Sequence, residues 1–278
     1  MTDLNKNWAP QMTEAQQVKN STALSKMKFD NPCKENLENN SERLKHWEKH
    51  SLYHLVEERE QFQEKQRLLL GTMNNTVMDA PQFFTKTIVP RKVILDPWFR
   101  EGGLGYIFGR RGTRKSWLAW YMALSISAGR QFGKWQCPTP QKVLYVDSEM
   151  SMDAMQRRLI LLDPCPSNNL YISSHQALAE EGGIFYNLAN SYQQEDFLEY
   201  CVQNDLDVVF LDNLSCLFSG MKENEADSWE QVRKWLLKFR QPGIAVVIVH
   251  HSNRTDNDMR GTSHREDAAD WITSFSKP

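Results

Sequence analysis

Gly109-Arg110-Arg111-Gly112-Thr113-Arg114-Lys115-Ser116 stands between the apolar run Gly105-Tyr106-Ile107-Phe108 and a helical stretch that opens at Trp117 (WLAWYMALSISAG). Strand, glycine-bearing loop and helix, in that order, form the context a GxxxxGK[ST] phosphate loop requires. Successive backbone N–H groups and the helix N-terminus offer partial positive charge to phosphate oxygens. Residues 109–117 are therefore the expected nucleotide-binding segment. Lys115 is placed to meet the β- and γ-phosphates of ATP, and the Ser116 hydroxyl to ligate Mg²⁺. One position departs from the motif. Arg114 occupies the place of the glycine before the lysine, where backbone and phosphate approach closely. Two outcomes stay open: Arg114 points outward, or its charge joins the phosphate site.

Outward from this loop, apolar runs alternate with amphipathic ones. GYIFG, KVLYVDSE, NLYIS, DVVFLDN and IAVVIVHHS read as strands; SWLAWYMALSISAG, MDAMQRRLILL, QEDFLEYCVQN and ADSWEQVRKWLLKFR read as helices. Near-continuous β-branched runs separated by helices predict an α/β fold with a mostly parallel central sheet covered on both faces. Right-handed crossovers bring every strand's C-terminal end to one edge, where ligands bind in such sheets.

The polar residues that end these strands are the next site candidates. Asp212 closes DVVFLDN in the manner of a Walker B strand, placed to hold Mg²⁺. Its follower is Asn213 rather than an acid, so the group that activates water must come from elsewhere. Glu149, just past KVLYVD, is that group, with Asp147 as its rival. His250 and His251 end IAVVIVHHS; adjacent residues of a strand face opposite ways, so they make a poor chelating pair. One of them suits a hydrogen bond to the γ-phosphate or the lytic water. In the polar segment 253–263 and just beyond it, Arg260 and Arg265 are candidates to neutralise transition-state charge in a neighbouring subunit.

The 278 residues carry 33 basic and 35 acidic side chains, a net charge of −2. That balance argues against a protein that coats nucleic acid by bulk charge. Only 40% of residues are apolar and the mean hydropathy is −0.61. The deficit lies in the first third. Residues 1–30 are polar and aperiodic, a mobile tail by expectation. Leu44, Trp47, Leu55, Val56 and Phe62 recur at helical spacing, predicting one or two amphipathic helices for partner binding or for packing on the main domain. GTMNNTVMDAPQFF, residues 71–84, reads as a linker. The expected division is 1–90 and 91–278. No run reaches the roughly 18 apolar residues of a membrane span. Five cysteines without CxxC spacing read as reduced thiols, and the expected location is cytoplasmic.

The runs EGGLGYIFGRRGTRKSWLA, KVLYVDSEMS, VVFLDNLS, GIAVVIVHHSNR and MRGTSHREDAADWI occur in the order found in RecA-like AAA ATPases. Residues 92–278 resemble that family, which includes the RepA-type replicative helicases of plasmids. The resemblance implies a RecA-like P-loop core, ATP and Mg²⁺ at subunit interfaces, and a homo-oligomer, with a hexameric ring as one form. It places Glu149 as catalytic carboxylate, Asp212 on Walker B, His251 as sensor and Arg260 as the arginine acting in trans. It also implies single-stranded DNA as a partner. Such domains often continue with further strands after the arginine segment, so the sheet edge is expected to be incomplete here or finished by another chain. The alternative is a nucleotide-gated assembly or regulatory protein that hydrolyses little, because of Arg114.

Overall fold

The computed structural model describes residues 64–221, 226–252 and 266–275. The expected tail, most of the amphipathic stretch, and Arg254, Arg260 and Arg265 lie outside the described residues. The chain divides into two compact units, Met1–Thr87 and Ile88–Pro278.

In the first unit, residues 64–76 are helical (α1) and Ala80–Thr85 form a short helix (α2). The stretch expected to be a linker is thus helical for most of its length. Asp79 and Gln82 form a reciprocal capping box. The Asp79 carboxylate accepts the Gln82 N–H at 2.8 Å, and the Gln82 side chain accepts the Asp79 N–H at 3.2 Å. Pro81 sits in the first turn, where its missing N–H has no partner to lose.

The second unit begins with a small antiparallel pair, β1 (Val93–Leu95) and β2 (Phe99–Arg100). Then come β3 (Leu104–Gly109), α3 (Lys115–Ser127), β4 (Val143–Asp147), α4 (Met152–Leu162), β5 (Leu170–Ser174) and α5 (His175–Gly182). They are followed by α6 (Ser191–Gln203), β6 (Val208–Asp212), α7 (Leu214–Leu217), α8 (Ala226–Lys238), β7 (Ala245–His251) and β8 (Trp271–Ser274). Every expected strand and helix of this unit forms; β1, β2, α5, α7 and β8 were not expected. The larger sheet runs β5-β4-β6-β7-β3-β8, and every neighbouring pair is parallel. This is the predicted α/β architecture.

Alternation along the strands feeds two cores. Leu104, Tyr106, Leu144, Val146, Val209, Leu211, Val246 and Ile248 face one side, packed with Phe197 and Cys201 of α6 and Trp229, Val232 and Trp235 of α8. Ile107, Val143, Tyr145, Val208, Phe210, Ala245, Val247 and Val249 face the other, against Ala119, Trp120, Ala123 and Ile126 of α3 and Phe99 of β2. Both faces are dry, which is why the strands read as unbroken apolar runs. Helix α3 is apolar around most of its circumference for the same reason.

Among the described residues one more strand, β8, pairs parallel to β3 and forms that edge of the sheet. Two glycines of β3 make room for it. A Cβ on Gly105 would meet the Trp271 ring at 1.9 Å, and one on Gly109 would meet the Phe275 carbonyl oxygen at 2.1 Å. Trp271 then packs edge-on against Trp98 and Phe99. No described helix is long and apolar enough to cross a membrane.

Candidate nucleotide-binding site

Register aligns the strand ends that carry the polar residues. Asp147 pairs with Asp212, Asp212 with Val249, and Gly109 with His251. The phosphate-loop strand β3 and the acidic strand β6 flank β7, so loop and acids face each other across one strand. Between them lies a cavity of about 680 Å³. Arg111, Arg114, Lys115, Ser116, Trp117, Glu149, Asp212 and His251 all line it.

The loop from Gly109 to Ser116 closes on itself. The Thr113 hydroxyl donates to the Arg110 carbonyl at 2.8 Å, and the Lys115 ammonium donates to the same carbonyl at 2.7 Å. That carbonyl occupies the lysine as a phosphate oxygen would. Lys115 Nζ also lies 3.4 Å from His251 Nδ1. Burial lowers the lysine's pKa, while Asp212 and Glu149 oppose that shift.

Arg114 sits at φ 68° and ψ 27°, a left-handed conformation at the N-cap of α3. The motif's glycine is thus wanted for backbone reasons, and an L-residue held there costs about 1 kcal/mol. The loop keeps its path all the same. The Arg114 side chain is exposed at the cavity rim, as are Arg110 and Arg111 at the loop's tip.

The acidic corner is built in the opposite way. Asp212 is buried, and its carboxylate accepts a 2.6 Å hydrogen bond from the Tyr145 hydroxyl. Tyr145 is held in a stack between Trp120 of α3, at 3.9 Å, and Phe210 of β6, at 5.6 Å. Burial, and then the neighbouring Asp147 carboxylate, push Asp212 up to about 6, although Tyr145 and the Ser116 hydroxyl both donate to it. Tyr145 is a residue that reading the strand left in the core. Its signal is weak: a tyrosine within a strand that is dry on both faces needs a partner for its hydroxyl.

Asp147, the rival for the water-activating role, is committed to the backbone. Its Oδ1 accepts the N–H groups of Glu149 at 2.9 Å and Met150 at 2.8 Å. These bonds turn the chain so that Glu149 lines the cavity. The Ser148 hydroxyl donates to the Asp212 carbonyl at 3.0 Å, tying the β4 and β6 ends together. Glu149 Oε1 lies 4.0 Å from His251 Nε2. The His251 ring, then the Asn213 amide and the Cys216 thiol, hold the Glu149 carboxyl down at about 2. Asn213 therefore supports the acid that it does not itself supply. Of the histidine pair, His251 reaches the cavity while His250 is fully buried, as opposite strand faces require.

Ser116 and Asp212 form a hard oxygen pair, and a carboxylate raised to about 6, first by burial and then by Asp147, is one whose charge a bound cation would stabilise. No described cluster of three or more His, Cys, Asp or Glu side chains could cage a metal. The pair fits an ion that completes its shell with phosphate and water oxygens, as Mg²⁺ does. Arg260 cannot be placed, since it lies outside the described residues.

The flagellar accessory protein FlaH from Methanocaldococcus jannaschii is similar in structure, with 14% identity and a TM-score of 0.42 over 64% of this chain and 74% of that one. No curated protein matches the sequence. The family model of the AAA domain matches residues 72–257, from α1 through the phosphate loop and both acidic strands to the segment after β7. With more than half its length matched, and with a loop and strand order of RecA-like P-loop type, the chain belongs to the AAA domain family of nucleotide-binding P-loop ATPases.

Proposed function

We propose that the protein hydrolyses ATP as an oligomeric, RecA-like motor of the RepA helicase type, acting on single-stranded DNA. The observation that carries the ATPase part is the convergence of Lys115, Ser116, Glu149, Asp212 and His251 on one cavity from four separate elements. Residues 1–90 are read as an arm for a partner or a second copy, and 91–278 as the motor domain.

In this reading the loop's N–H groups and Lys115 bind the β- and γ-phosphates, the ammonium leaving the Arg110 carbonyl for phosphate oxygen. Ser116 and Asp212 would hold Mg²⁺, which when bound would supply positive charge to the phosphates. Glu149 orients the water that forms the new P–O bond as the β–γ bridge breaks. A carboxyl at about 2 is a weak proton acceptor, so its first role is orientation. His251 senses whether the γ-phosphate is present, a reading supported by its position near both Lys115 and Glu149. Arg260 acts on a neighbouring subunit's nucleotide.

A second reading, a nucleotide-gated assembly protein with slow turnover, draws on two features: a left-handed Arg114 and so weakly basic a Glu149. Phosphate release measured with and without single-stranded DNA separates the two. The motor reading expects turnover well above a Lys115→Ala control, increased by DNA, with larger particles in ATP–Mg²⁺. Turnover at the control level under both conditions, with ATP bound but uncleaved, would replace it with the second reading.

A further inference from the structure

Helix α4 carries two consecutive arginines with different fates. Arg157 is exposed and paired with Asp153 one turn earlier, at 2.6 Å. Arg158 lines the nucleotide cavity together with Lys115, Glu149 and Asp212. Its Nε and Nη1 are buried and have no hydrogen-bond partner. A buried, unmatched donor is costly, and a charged one more so. Such a guanidinium inside a cavity indicates an acceptor that arrives with a ligand.

The surroundings identify the acceptor's chemistry. The guanidinium carbon lies 4.7 Å from the centre of the Trp117 ring, so one face of the group is covered. The in-plane N–H donors remain, and these suit oxygen anions rather than a stacked base. Protein carboxylates do not fill the need. Asp147 feels the charge of Arg158, but its Oδ1 is already occupied by two backbone N–H groups. Glu149 accepts the Cys216 thiol at 3.5 Å and is drawn toward Asn213 and His251, and Asp212 is held by Tyr145 and Ser116. The cavity also has more cations than anions: Arg111, Arg114, Lys115 and Arg158 face Glu149 and Asp212.

We infer that Arg158 is a phosphate ligand supplied by the chain's own α4, donating to the polyphosphate of the bound nucleotide while Trp117 supports its other side. This rests on the ATP-site reading above and adds to it a residue outside the phosphate loop. The arginine is held ready by the stack, so little side-chain freedom is lost on binding.

Calorimetry on the full chain tests it, with a non-hydrolysable ATP analogue and inorganic tripolyphosphate as separate probes. Arg158→Gln is expected to weaken both about 10- to 100-fold, the range for a lost charge-assisted contact. Arg158→Lys is expected to recover only part of that, since an ammonium lacks the planar fork. Arg157→Gln, whose side chain is paired outside the cavity, is expected to bind both probes like the unaltered protein. Melting temperatures show whether each variant is folded, and Arg158→Lys carries the test if the glutamine variant is not. Unchanged affinity for both probes in the folded variants overturns the inference. So does loss of the analogue with tripolyphosphate intact, which would assign Arg158 to the base or ribose. If the unaltered protein binds neither probe, the ATP-site reading itself falls.

Discussion

On the β3 side of the cavity the site is an exposed loop of backbone and long cations; on the β4–β6 side it is a buried corner of carboxylates wired to neighbouring side chains. The loop tolerates an arginine in a glycine's place, because that residue needs only a φ near +68° and has solvent for its side chain. The corner has no such slack. Asp212 depends on Tyr145, which depends on the Trp120 and Phe210 rings; Glu149 depends on turns that Asp147 caps. A loop made of main chain can absorb substitution. A corner made of side chains transmits it.

The sharpest way to probe that contrast is Asp212→Asn. A carboxylate whose native pKa is raised to about 6 binds its proton more tightly folded than unfolded. Ionising it therefore costs stability, in full above about pH 6 and not at all below its ordinary value of 3.8. In the metal-free protein at pH 8, the asparagine is expected to raise stability by about 1–3 kcal/mol. Thermal melting across pH checks this, with the gain shrinking as pH falls through about 6. Turnover is expected to drop at least about 100-fold in the same variant, since the proposed Mg²⁺ ligand is lost. Higher activity at unchanged stability would show that the corner is not built as described.

Tyr145→Phe is a smaller step. It deletes the 2.6 Å donor and leaves the ring stack in place. The Asp212 pKa is expected to rise further, moving the acid limb of the proposed Mg²⁺-dependent turnover to higher pH, at a stability cost of about 1 kcal/mol. An unmoved pH profile would separate Tyr145 from the proposed metal site.

The smallest effect is expected at the loop. Arg114→Gly releases the left-handed strain but frees the unfolded chain, for a net gain of at most about 1 kcal/mol in denaturant unfolding. Faster turnover in this variant would show that Arg114 restrains the chemistry. A loss of nucleotide affinity would show instead that its charge serves the phosphates.

These residues also mark how far the chain could be read before folding. The phosphate loop, Asp212, Glu149 and His251 were all legible, since each sits at a strand end or in a local motif whose spacing carries its meaning. Tyr145, Arg158 and the supporting role of Asn213 were not, because their partners lie on other elements. Tyr145 meets Asp212 across 67 positions of sequence, and Arg158 meets Trp117 across 41. The strand β8 has no strong pattern, since three of its four residues are exposed, and it is recognisable only from the space that Gly105 and Gly109 leave for it.

By itself the sequence determined the alternation of dry strands and helices, hence the parallel sheet, and the edge to which the loop and the acids belong. Period and composition encode burial directly, and strand direction follows from the handedness of the crossovers. Tertiary structure decided which acid faces the cavity, which of two histidines and two arginines reaches it, and how far each carboxyl is shifted. Those depend on desolvation and on donors within a few ångströms, which only the packed fold brings together.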